Sequence, residues 1–155
     1  MRGNIDQGKS RRIARVIEGA MVRVLRGNPD EVVSVLDDCR SSLLAETHDD
    51  VERVEIARRV AEAKLSILWE RENAREEVLE SWAEIEGLGY SSLEREASML
   101  VYLVEFIERT KMNIDPSKKS ALKRLRALVE QIAAQGDESL AAHFEIVYHR
   151  LSGDT

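Results

Sequence analysis

The chain has 155 residues, 43% of them apolar and 34% charged, with a formal net charge of −6 and one cysteine, Cys39. That length suits a single domain that buries a core without staples, and the apolar content lies above the level that leaves a chain disordered. A lone cysteine excludes an intrachain disulfide and a multi-cysteine zinc site and fits a reducing compartment, so a cytoplasmic protein is expected. Met1 to Ser10 is polar and lacks the apolar centre of a secretory leader. Residues 1–9 are expected as a flexible tail, followed by a single all-α domain over residues 10–152.

Apolar residues at three- and four-residue spacing predict a first helix from Ser10 to Arg26, with Ile13, Val16, Ile17, Ala20, Met21, Val24 and Leu25 on one stripe. Gly27 stops it, and Asn28 caps a second helix, with Pro29 in its first turn and Glu31 placed to complete a capping box. Val32, Val33, Leu36, Cys39, Leu43 and Leu44 form the inner face of that helix, and the short turn predicts an antiparallel hairpin. Thr47, with Asp50 three residues on, is the candidate cap of a third helix. Its two apolar stripes, Val54-Ala57-Ala61-Leu65-Leu68 and Ile56-Val60-Ala63-Ile67, predict a central position. Asn73 is the one possible break before Val78, Leu79, Trp82 and Ile85, so residues 50–86 are either one helix or two.

Gly87 and Gly89 close that segment, and Ser91-Ser92-Leu93-Glu94 predicts a capping box opening a helix to Lys111. Within it, residues from Met99 to Ile107 are apolar nearly all round and must be covered by neighbours or by a second subunit, so a homo-oligomer is one expectation. The run from Ala97 to Ile107 carries Ser98 and Glu105 and falls short of the roughly 20 residues of a membrane span, so no membrane contact is expected. Asp115-Pro116 predicts the next helix start, with Leu122, Leu125, Leu128, Val129 and Ile132 inward. Gly136 ends that helix, and Asp137 caps the last, which bears Leu140, Ala141, Phe144, Val147, Tyr148 and Leu151. The fold class is therefore all-α, with six or seven antiparallel helices.

Three turns share a finer pattern. Gly27, Asn73 and Gly136 are followed at +5, +9 and +12 by Val32, Leu36 and Cys39, by Val78, Trp82 and Ile85, and by Ala141, Glu145 and Tyr148. Upstream of Gly136, Leu125, Leu128, Val129 and Ile132 sit at −11, −8, −7 and −4. This resembles the helical hairpin of a tetratricopeptide repeat, most closely over Val54 to Gly87 and Ala121 to Ser152. The turns lie 46 and 63 residues apart, against a repeat of about 34, so an irregular bundle stays open beside a helical-hairpin array. The resemblance implies a protein-binding groove lined by first helices, which makes the polar residues Arg58, Glu62 and Ser66 candidate partner contacts.

Other motifs are weaker in chemistry than in lettering. Gly3 to Ser10 satisfies the G-x4-G-K-S pattern, but no strand precedes it to aim backbone N–H groups at phosphates. His48, His143 and His149 show no metal-ligand spacing, and the paired carboxylates Asp37-Asp38, Asp49-Asp50 and Glu76-Glu77 sit where solvated helix faces belong. No enzyme, metal or cofactor is predicted. Charge is a better guide: residues 1–26 hold seven Lys/Arg against two Asp/Glu, and residues 27–110 hold nine against 21. Lys119, Lys123 and Arg126 share one helical face that can meet phosphates or an acidic protein, including the Glu-rich helix of a second copy. The expected function is a non-enzymatic protein-interaction module, an adaptor or regulatory subunit; the alternative is a nucleic-acid-associated regulatory protein using its basic helix faces.

Overall fold

The computed structural model describes residues 6–71, 74–114 and 116–153. Among them lie seven α-helices and no strand: α1 (Gln7–Arg26), α2 (Val32–Ala45), α3 (Asp50–Leu68), α4 (Arg75–Leu88), α5 (Leu93–Thr110), α6 (Lys118–Ala134) and α7 (Glu138–Ser152). The all-α array expected from periodicity is the observed architecture, and residues 50–86 form two helices rather than one. Asn73, the expected breaker, lies outside the described residues. The chain divides into two compact units, Met1–Ser91 and Ser92–Thr155.

In the first unit α3 is central, packing on α1, α2 and α4, as its double stripe predicts. Ile56, Val60, Ala61, Leu65 and Leu68 are buried along it, and Glu55 and Glu62 are buried with them. Glu55 is held by its own helix. Its carboxylate accepts from Arg58 Nη1 (2.9 Å) and Arg59 Nε (2.7 Å), the i+3 and i+4 neighbours on one face. Ion pairs tie the helices together at their margins: Arg12 to Glu46 (2.6 Å), Arg40 to Glu84 (2.9 Å), Lys64 to Asp37 and Arg71 to Asp30.

Helix ends depart from expectation in an orderly way. Asp6 caps α1 by accepting from Lys9 N–H (3.1 Å), so residues 7–9 form a first turn and not a tail. Asn28 Oδ1 accepts from Asp30 N–H (3.0 Å) and caps a 3₁₀ turn, Pro29–Glu31, that precedes α2. Gly27 has φ −100°, and a Cβ there would lie 2.9 Å from the Arg23 carbonyl oxygen, so close approach, not a left-handed backbone, requires glycine. Asp49, not Thr47, caps α3, accepting from Val51 N–H (2.8 Å). Thr47 is buried and donates to Glu52 (2.5 Å).

In the second unit α5 packs on α6 and α7, and α6 packs on α7. Met99, Leu100, Leu103, Val104 and Phe106 are fully buried within the chain, whereas Val101, Tyr102 and Ile107 of the same run are half-buried. Ser92 caps α5 by accepting from Arg95 N–H (3.1 Å), one residue later than the expected Ser91. Ser117 caps α6, accepting from Ser120 N–H (3.2 Å); Pro116 precedes the cap instead of opening the helix, and Asp115 lies outside the described residues. The α6–α7 turn is a Schellman motif: Asp137 N–H reaches Ile132 O, Gly136 N–H reaches Ala133 O, and Gly136 takes φ +92°.

No helix among the described residues is long and apolar enough to cross a membrane.

Candidate binding surface

The α6–α7 hairpin presents a recess of mixed chemistry. Leu122, Leu125, Leu128 and Ile132 turn inward from α6, and Ala141 and Phe144 from α7. Ala133 and Ala141 both border the space between these helices, and their methyl side chains are too small to fill it. The result is a groove of about 340 Å³ lined by Arg126, Val129, Glu130, Ala133, Ala141, Glu145, Tyr148 and His149. Its floor is apolar and small, and its walls are charged.

At one end the Arg126 guanidinium stands 6.0 Å over the Tyr148 ring, a cation–π contact that props the charge at the groove mouth. Lys119 and Lys123 are exposed on the same face of α6, seven and three residues before Arg126. Neither has an ion-pair partner among the described residues. Lys118 is committed elsewhere: it bonds Glu108 (2.5 Å), and this bond, then the charges of Lys118 and Lys111, hold the Glu108 carboxyl below the usual range. Glu130, Glu145 and His149 also line the groove, with His149 Nε2 3.8 Å from Glu145. Such a groove can seat a side chain and read the charges flanking it.

The other predicted contacts are spent on the fold. Arg58 Nε and Nη2 donate to the carbonyls of Gly89 (3.0 Å) and Leu88 (2.9 Å), closing the C-terminal end of α4. Glu62 is 3% exposed, and its carboxylate accepts from Ser91 N–H (3.2 Å) and Ser91 Oγ (2.9 Å). Ser66 Oγ donates to its own helix at Ala63 O (2.7 Å). The exposure assumed for these three is therefore corrected: Glu62 is buried, Arg58 and Ser66 are half-buried, and the polar atoms of all three are engaged. The cause is the turn after α4, whose carbonyls and Ser91 need partners that α3 supplies.

The lysine of the G-x4-G-K-S lettering is likewise engaged. Gly3 lies outside the described residues, Gln7 to Ser10 are helical, and Lys9 pairs with Glu52 (2.7 Å). Beside this pair is a pocket of about 130 Å³ whose polar lining, Lys9, Arg12, Glu46, Thr47 and Glu52, is bonded within the protein. The hydrogen bonds from Lys9 and Thr47 hold the Glu52 carboxyl below its usual range, and Glu52 raises the Lys9 ammonium. Among the described residues no three His, Cys, Asp or Glu side chains are grouped to hold a metal. Cys39 is buried, which pushes its thiol up.

Periodicity missed the groove because Val129 and Tyr148 read as ordinary inward positions. The signal was available in Ala133 and Ala141, two small residues flanking one turn, three residues before Gly136 and five after it.

No family model, curated protein or solved structure matches the chain.

Proposed function

We propose that the chain is a non-enzymatic binding module that seats a segment of a partner protein in the α6–α7 groove. The observation that carries this reading is the juxtaposition of an apolar floor, at Val129, Ala133 and Ala141, with an exposed basic row, Lys119, Lys123 and Arg126, leading to it. The fitting occupant has an apolar side chain for the floor and acidic residues on the flank that meets the row. Support also comes from the hairpin pattern resembling a tetratricopeptide repeat. Val78, Trp82 and Ile85 are buried at +5, +9 and +12 in α4, whereas in α7 Glu145 is exposed and Tyr148 half-buried, leaving that hairpin's surface open for a ligand.

Fluorescence anisotropy with a labelled peptide carrying one Leu or Phe among Asp and Glu tests the reading. Lys123→Glu combined with Arg126→Glu should weaken binding at least about tenfold, the ratio that about 1.4 kcal/mol makes. Equal binding by variant and parent would remove the groove from consideration. The exposed Lys119–Lys123–Arg126 row also favours a second reading, contact with nucleic-acid phosphates. A labelled oligonucleotide bound with a steep salt dependence, and lost in Lys119→Glu with Lys123→Glu, would select it.

A further inference from the structure

Two helices of the first unit carry opposite charge and never meet. α1 holds six Lys/Arg against one Glu, and α4 holds five Glu against one Arg. α1 packs on α2 and α3, α4 packs on α3, and the two make no contact with each other. Neither field is therefore neutralised by the other inside the chain.

Their outward faces have matching geometry. On α1, Arg15, Gly19, Val22 and Arg26 are exposed at spacings of four, three and four, opposite the buried stripe Ile13, Ile17, Ala20 and Val24. On α4, Glu76, Glu80, Ala83 and Gly87 are exposed at the same spacings, opposite Val78, Trp82 and Ile85. Among the described residues Arg15, Arg26, Glu76 and Glu80 have no ion-pair partner. Around Gly19 there is open space, and around Gly87 as well. Val22 is 43% exposed, an apolar residue set among these arginines.

We infer that the α1 face of one copy docks on the α4 face of another, joining copies head to tail. Because the spacing 4-3-4 reads the same in both directions, a parallel or an antiparallel pairing puts an arginine on Glu76. Parallel, that arginine is Arg15 and Val22 meets Ala83; antiparallel, it is Arg26 and Gly19 meets Ala83. Either way the small residues Gly19 and Ala83 let the helices approach near the centre, and a single arginine–Glu76 pair at one end sets the register while the other arginine lies over Gly87. The two faces differ, so the contact is heterologous, and repetition gives a ring or an open chain of copies. A single helix face buries little area, which makes the association weak and salt-sensitive.

Light scattering on the full chain over a concentration series tests this. At low salt the average mass should rise with concentration, and at high salt it should return to one copy. A chain with Arg15→Glu and Arg26→Glu repels its own α4 face and should stay single, as should one with Glu76→Arg and Glu80→Arg. Mixed in equal amounts, the two variants present complementary faces again, and association should recover to within about tenfold of the parent. Recovery also shows that both variants are folded. Three results would overturn the inference: a parent that stays single at low salt, a variant that associates as well as the parent, or a mixture that stays single while circular dichroism shows both variants folded.

Discussion

Glu62 shows how one buried side chain determines what its neighbours can do. Its carboxylate takes both the backbone N–H and the hydroxyl of Ser91, and this withdraws Ser91 from capping α5 and hands the cap to Ser92. Replacing it leaves two donors without an acceptor beneath the turn. Glu62→Ala should lower stability by about 1 to 3 kcal/mol, read as a fall in the denaturant midpoint at unchanged slope. A change within a few tenths of a kcal/mol would show that water replaces the carboxylate without cost. None of this is legible in the sequence, where Glu62 occupies a polar position on a helix and is indistinguishable from a solvated glutamate. The partner lies 29 residues away, and only the folded α3–α4 hairpin brings it near.

At the scale of elements, the N-terminal turn of α1 is clamped to the start of α3 by Lys9 and Glu52. The Glu52 carboxyl lies below its usual range because Lys9 and Thr47 bond it, so its contribution is present above the ordinary carboxylate range and is lost as pH falls through the depressed value. The raised Lys9 ammonium works in the opposite sense: its contribution is present below the ordinary lysine range and is lost as pH rises through the raised value. Amide exchange in the first turn of α1 should therefore gain extra protection at neutral pH that fades in acid and in strong alkali. Lys9→Met should erase that pH dependence; a profile identical to the parent would show that the clamp is idle.

Existence and order of the helices were readable because apolar periodicity is a local property, and α3 advertised its central place with two stripes. Cap identities were readable only in part: Asp137 caps α7 as expected, whereas Thr47 and Ser91 carry suitable chemistry but lie two and one residues from the true caps. At Thr47 and Ser91, distant carboxylates, Glu52 and Glu62, divert the hydroxyl that local rules assign to the helix end. The α6 basic row was visible from spacing alone, whereas the adjoining groove depends on residues of two helices, from Arg126 to Ala133 and from Ala141 to His149, that only the folded hairpin brings together.

The whole chain contains two units with separate cores. Ile17, Leu36, Val60, Leu65, Val78 and Ile85 are buried in the first, and Leu100, Leu103, Phe106, Leu125 and Phe144 in the second. At 91 residues the first is within the size range that folds unaided, and the second, at 64, is near the lower end. The fragment 1–91 should accordingly retain a helical circular dichroism spectrum and a cooperative melt, with 92–155 folding at lower stability. A fragment 1–91 without helical signal would mean that the first core depends on the rest of the chain.

The Arg58 grip on the Leu88 and Gly89 carbonyls also acts as a length gauge. Two donors fixed on α3 meet two acceptors whose position depends on the number of residues in α4. One extra residue there would turn the helix end by about 100° and advance it by about 1.5 Å, carrying both carbonyls out of reach and displacing Ser91 from Glu62. Insertions and deletions in residues 75–88 should thus be far less tolerated than substitutions on the outer face of the same helix.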